Sequence, residues 1–335
     1  MSAEATTLAL LDPADVATAE RNKVDETLAR VRLELIEDPD SPAFDQAYRM
    51  MDGFFGPRGE LESREAIAGF VAKPHIEYDC GAIGEYRLLA AWQGDTMVGV
   101  RDCYVDVDAD AGVCLVALSH SYVVPDERRS GLAAVLRAVA ASIGRRVLTE
   151  RGLVGDRAPE LLVAAEMDPV DPMDPITIVR LLAYGRSGFS VLDPRRLPYS
   201  QPDFRMPEGA AHTALPLLPV VRWVGHPDPR SLPASVAAAF PRLFHAAHRI
   251  HLPRAWVDPS ESHALRALSR IDGPVPVLPL PQSSEDDQIL RLAPLLRSLV
   301  LPLYPRHLQG ERATFDAHHE EAACLLRTWQ ATRRN

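Results

Sequence analysis

Val123-Val124-Pro125-Asp126-Glu127-Arg128-Arg129-Ser130-Gly131-Leu132-Ala133 joins an extended run to a helical one. Before it, residues 112–124 are rich in β-branched side chains, the pattern of a strand. After it, residues 132–146 are small and aliphatic at helical spacing. A helix start preceded by a tight turn presents unpaired N–H groups and a partial positive charge, which together make a pyrophosphate site. Gly131 and Ala133 matter there by being small, because a larger side chain would hold phosphates away from the amides. Arg128 and Arg129 add positive charge. Taken alone, a glycine after an arginine-rich turn is also an ordinary connection.

Working outward, residues 86–92, 97–107 and 112–124 are three extended runs separated by Gln93-Gly94-Asp95 and Asp108-Ala109-Asp110, so an antiparallel meander is expected. Upstream, residues 12–32 have helical spacing, with Asp12 as N-cap and Pro13 at the first helical position. Ser41-Pro42 opens a second helix through Phe44, Tyr48 and Met51 to Gly53, and residues 61–73 form a third. Downstream, residues 161–167 read as a strand. Asp174-Pro175 then opens a helix over 176–186 that Gly188 and Phe189 close. Residues 189–192 and 217–224 are late strands, the second confined to an edge or bulge by Pro216 and Pro219. From Ser231 the pattern is mainly helical, over 231–251, 260–271, 286–300 and 312–334, with a proline-rich connector at 274–281.

Arg128-x-x-Gly131-x-Ala133, after a Val-x-Pro strand end, resembles motif A of the GCN5-related N-acetyltransferases (GNAT). Tyr184-Gly185-Arg186-Ser187-Gly188-Phe189 resembles the Tyr-x-x-x-Gly-Phe close of that family's motif B, in matching order and separation. The likeness covers residues 31–224. It implies an α/β (α+β) fold: a mixed twisted β-sheet flanked by helices, whose strands 112–124 and 161–167 splay apart to admit acyl-CoA. It further implies that Tyr122, Val123 and Val124 pair with the pantetheine arm. Amides of Arg129, Ser130, Gly131, Leu132, Ala133 and Ala134 would hold the pyrophosphate. Tyr184 would lie near the sulfur, where a phenol can protonate or hydrogen-bond the departing thiolate. The donor expected is acetyl-CoA or another acyl-CoA, and the acceptor a small-molecule or peptide amine, acylated directly.

The general base is less determined. Where family members carry Glu or His, six positions before Val123, this chain has Ala117. Alternation puts Ala117, Ser119 and Ser121 on one face and Leu118, His120 and Tyr122 on the other. His120 therefore suits the role by type but points away, unless a bulge after Ser119 turns it. Ser119 or Ser121 could position a water that passes the proton to Glu166, and an amine arriving deprotonated would need no base. On the acceptor side, Asp168, Asp171 and Asp174 could attract a cation, although Asp-Pro is also common turn chemistry. Met51, Phe54, Phe55 and Arg58 would cover the acceptor, or else be core.

The composition narrows the field. With 46 acidic and 36 basic side chains among 335 residues, the net charge of −10 does not attract polyanions. Lys23 and Lys73 are the only lysines, but a pI near 5.6 argues against an arginine-rich nucleic-acid surface. The four cysteines form no Cys-x-x-Cys pair, no run reaches membrane-span length and the N-terminus has no signal-peptide pattern, so a cytoplasmic protein is expected. His245, His248 and His251 recur every three residues, but without a Glu between paired histidines or a nearby cysteine they read as a surface or interface face, and no metal is expected. The expected organisation is a helical segment over 1–30, an acyl-CoA-binding domain over 31–225 and a mainly helical extension over 226–335. Dimerisation into a homodimer, a lid or a recognition surface are open tasks for that extension. Two functions fit: an N-acyltransferase, or a catalytically silent acyl-CoA-binding sensor or scaffold.

Overall fold

The computed structural model describes residues 11–168, 175–202, 214–227 and 229–282. The chain enters through two 3₁₀ turns, Pro13–Asp15 and Thr18–Glu20, and helix α1 (Arg21–Leu28). This replaces the single helix expected over 12–32, because Val16, buried and extended, ends the first turn. β1 (Arg32–Ile36), α2 (Pro42–Phe55), α3 (Arg64–Ala72) and β2 (His75–Glu77) follow. Ser41 and Ser63 cap the two helices, each hydroxyl accepting from the backbone N–H three residues on at 3.2 Å. The meander β3 (Ile83–Gln93), β4 (Thr96–Asp108) and β5 (Val113–Val123) is antiparallel, as its turn spacing predicts.

After the corner come α4 (Leu132–Glu150), β6 (Glu160–Met167), α5 (Pro175–Arg186), β7 (Ser190–Leu192), and the short pair β8 (Ser200–Pro202) and β9 (Ala214–Pro216). Gly188, at φ 78°, ends α5. β10 (Leu218–Trp223), β11 (Ser231–Leu232), α6 (Ala234–His248), α7 (Arg254–Leu268) and β12 (Val275–Pro279) complete the described chain. The main sheet runs β1-β3-β4-β5-β6-β10-β7-β12-β11, with β2 beside β3. β5 and β6 are parallel, from Val113↔Glu160 to Leu118↔Ala165. The architecture is therefore α/β, a mixed sheet flanked by helices, as the resemblance implied.

Alternation along the strands divides the core into two layers. Leu89, Val105, Val116 and Val163 face α1, α4 and α5. Leu88, Tyr104, Leu115 and Leu162 face α2, α3, α6 and α7. Each such fully buried side chain contributes about 1.5–3 kcal/mol.

Three expectations are corrected. β10 is an interior strand between β6 and β7. It tolerates Pro219 because β7 reaches only Val220 and Val221, leaving no ladder on that side for the missing N–H to break. The proline-rich connector contains β12, which pairs with β7. The histidines of α6 are not a surface face: His245 is fully buried and His248 is 9% exposed. Segments 286–300 and 312–334, and Asp171 and Asp174, lie outside the described residues. Among those described, no helix is long and apolar enough to cross a membrane.

Candidate active site

The site is built where β5 and β6 part company. Their pairing ends at Leu118↔Ala165, while β5 continues against β4 to Val123 and β6 continues against β10 to Met167. Tyr122 and Val123 thus border the parting along β5, opposite Val100 and Gly99, and Val124 donates its N–H to the Val98 carbonyl at 3.1 Å. Beyond lies the corner, a 3₁₀ turn over Pro125–Glu127 held by an Arg30–Glu127 ion pair at 2.9 Å. Positive φ at Arg129 (74°) and Gly131 (103°) then swings the chain into α4.

Of the six amides expected to hold a pyrophosphate, three are engaged. The Ser130 N–H donates to the Glu127 carbonyl, the Leu132 N–H to the Ser130 hydroxyl and the Ala134 N–H to the Gly131 carbonyl. The N–H groups of Arg129, Gly131 and Ala133 have no partner among the described residues. Arg129 and Ala133 are exposed, as is Arg128, so the corner offers free donors and positive charge together. The residues present fit a phosphate-bearing group. Gly131, however, is small for another reason. A Cβ there would lie 2.7 Å from Thr27 Oγ1 and 2.8 Å from the Lys23 carbonyl oxygen, so its smallness admits α1. Thr27 donates its hydroxyl hydrogen bond to the Ser130 carbonyl at 2.7 Å, fixing α1 against the corner.

A bulge sets which face His120 takes. Register passes from Arg101↔Ser121 to Cys103↔Leu118, so Ser119 and His120 together face Asp102. The bulge turns His120 to the α2 side of the sheet. There its Nδ1 lies 3.0 Å from Asp102 Oδ2 and its Nε2 lies 2.6 Å from the Glu60 carbonyl oxygen. The His120 backbone N–H donates to Asp102 Oδ1 at 2.6 Å, and the Tyr86 hydroxyl donates to Oδ2 at 3.0 Å. Burial alone would lower the imidazole, but the charge and hydrogen bond of Asp102 outweigh it and raise His120 to about 9. Asp102, despite burial, is held below the usual carboxylate range by His120. With an acceptor at each ring nitrogen, His120 is an imidazolium at neutral pH and has no lone pair to receive a proton.

Glu166 stands one residue beyond the last β5–β6 pair, with Ser119 exposed on the strand opposite. Tyr199 donates its hydroxyl hydrogen bond to Glu166 Oε1, and His248 Nε2 lies 3.6 Å from Oε2. Phe54 packs against Tyr122 with ring centroids 5.2 Å apart, and Phe55 meets His120 edge-on at 4.8 Å. Phe54, Phe55, His120 and Glu166 therefore border one side of the parting. Tyr184 belongs to the other side, half-buried in the α4–α5 layer and edge-on to Phe189 at 5.0 Å. Asp168 is exposed but paired with Arg180 at 2.5 Å.

The partners Asp102, Tyr86, Glu60, Tyr199 and His248 were not legible as site residues. Asp102 carried a signal as part of an Arg101-Asp102 pair inside an apolar strand run, and His248 as one of three histidines spaced by three. Among the described residues, no group of three or more His, Cys, Asp or Glu side chains could hold a metal ion.

No family model and no curated protein matches the chain. Among solved structures, it is similar to a GNAT-family acetyltransferase from Desulfovibrio desulfuricans described as putative in its source, at 20% identity and TM-score 0.35, over 58% of this chain and 99% of that one. It is also similar to an aminoglycoside acetyltransferase from an uncultured soil metagenomic sample, at 16% identity and TM-score 0.31, over 45% and 85% of the two chains. A Bacillus subtilis acetyltransferase in complex with CoA is similar at 12% identity and TM-score 0.31, over 58% and 98%.

Proposed function

We propose that this chain is an acyl-CoA-dependent N-acyltransferase that moves an acetyl group from acetyl-CoA directly to a primary amine. The observation that carries the reading is the corner: three partner-free N–H groups and two exposed arginines, at the end of the strand that parts from its parallel neighbour. In this reading Arg129, Gly131 and Ala133 bind the pyrophosphate through their amides, and residues 122–124 guide the pantetheine arm. The thioester supplies an activated acyl carbon. Phe54 and Phe55 exclude water from the acceptor side, and Glu166 takes the proton that the amine loses. Tyr184 offers its O–H to the departing sulfur.

His120 enters as a fixed cation that ties the Glu60 turn to the sheet. That role departs from the base considered for it, and it also supports a second reading, a sensor that binds acyl-CoA without turnover. Calorimetric titration with acetyl-CoA tests binding. CoA release across polyamine, aminoglycoside, amino-acid and peptide acceptors tests transfer. Absence of binding removes both readings, and binding without release on the whole panel selects the sensor.

A further inference from the structure

β4 carries a guanidinium with little to bind. Arg101 is 6% exposed, and its Nε and Nη1 atoms have no hydrogen-bond partner among the described residues. It stands in register with Leu89 on β3 and Ser121 on β5, so its side chain leaves the sheet on the α4–α5 face, opposite to Asp102. An arginine stays charged at any physiological pH, and a buried charge without a partner is costly. Asp102, the next residue along β4, is not available to it, because its oxygens are taken up by His120 and Tyr86 on the other face. Cys103, on the same face, has its thiol pushed up to about 12 by burial, which marks the surroundings as dry. Burial also lowers Arg101 from its ordinary value. The Tyr184 phenol acts in the opposite sense, and Arg137 adds to the lowering. Among the described residues, none supplies an anion for this charge.

We propose that Arg101 is the counter-ion of the CoA thiolate: a buried, unpartnered guanidinium, separated by the small Ser121 from the gap between β5 and β6, on the face that carries Tyr184. The proposal rests on the acyltransferase reading and deepens it. Phosphates are served by the corner. The acyl carbon must face the amine on the side of Glu166 and Phe55, which leaves the sulfur for the side of Arg101 and Tyr184. Attack by the neutral amine forms the C–N bond and breaks the C–S bond, whose electron pair stays on sulfur opposite Arg101. Tyr184 donates a hydrogen bond to it, and the proton lost by nitrogen passes to Glu166 and then to solvent. Arg101 thus makes the leaving group a stable anion before any proton reaches it.

Titration of CoA and of acetyl-CoA into the full chain, in buffers of different ionisation enthalpy, counts the protons exchanged. Free cysteine has a pKa of about 8.5, and a CoA thiol is likewise mostly protonated at pH 7. Binding as thiolate therefore releases about one proton per CoA, while acetyl-CoA, which has no thiol, releases none. Arg101→Met removes the release and weakens CoA by about tenfold or more, with acetyl-CoA affinity within about twofold. Arg101→Lys keeps the release. Because the guanidinium is unpaired in the free protein, Arg101→Met leaves the melting temperature unchanged or higher. A lowered melting temperature, or no release from the wild type, or release that survives in the Met variant, overturns the proposal while leaving the acyltransferase reading in place. Failure of the wild type to bind either ligand removes that reading and the proposal with it.

Discussion

A histidine with an acceptor at each ring nitrogen holds two protons, and His120 is so placed between Asp102 and the Glu60 carbonyl. Its titration, raised from 6.5 to about 9, ties stability to pH. The contribution is complete below the ordinary histidine value and is lost as pH climbs through about 9, because the folded chain keeps a proton that the unfolded chain has released. Asp102→Asn removes the main cause, so the His120 midpoint followed by NMR falls to 6.5 or below; a midpoint staying near 9 would assign the shift elsewhere. Glu166→Gln lowers turnover by about a hundredfold or more, the usual weight of a general base, with acetyl-CoA affinity unchanged. Tyr184→Phe also lowers turnover without changing that affinity. Equal turnover in either variant, measured as CoA release, denies that residue its role. Of these residues, Tyr184 could be singled out as a candidate because its motif is local in sequence. The state of His120 was not, because it depends on Asp102 and Glu60, 18 and 60 residues away.

Among the elements, the corner and the helix behind it have separable functions. Ala133 is exposed, and a carboxylate in the first turn of α4 suits the helix dipole, so Ala133→Glu folds normally. It repels phosphates and weakens acetyl-CoA by about tenfold or more, the effect of one like charge placed beside them. Gly131→Glu instead drives a side chain into Thr27 and Lys23 at φ 103°, so its first effect is a lowered melting temperature. Thermal unfolding and calorimetry on the two variants distinguish these outcomes, and equal loss of stability in both would merge the two roles. The meander strands, buried on both faces, could be read as apolar β-branched runs broken by turn residues, and α5 from its helical spacing, with the corner lying between a strand pattern and a helix pattern. The bulge at Ser119 could not, because two residues opposite one is a property of the pairing with β4. Nor could the fit of α1 to Gly131, which joins residues about a hundred positions apart in sequence.

For the whole molecule, the division expected at residue 225 meets a continuous sheet and a shared core. β12 pairs with β7, and α6 packs on β5, bringing Phe240 and Phe244 into the layer that holds Tyr104 and Leu162. A fragment ending at residue 225 therefore exposes that layer and fails to give a cooperative melting transition, whereas a monodisperse, cooperatively melting fragment would establish 226–335 as an appendage. Phe240→Ala in the full chain costs about 3–5 kcal/mol, measurable by denaturant unfolding. The order in which the sheet is laid out also bears on synthesis. β7 emerges from the ribosome before either of its neighbours, residues 218–223 and 275–279, has been made, and β6 waits with one side bare for the first of them. Such late, long-range pairing slows folding and leaves a nascent chain open to wrong partners. Pro219 in one late strand, and Pro276 and Pro279 in the other, interrupt the runs of N–H donors that a mispaired strand would need, which disfavours edge-to-edge association while these strands await their partners.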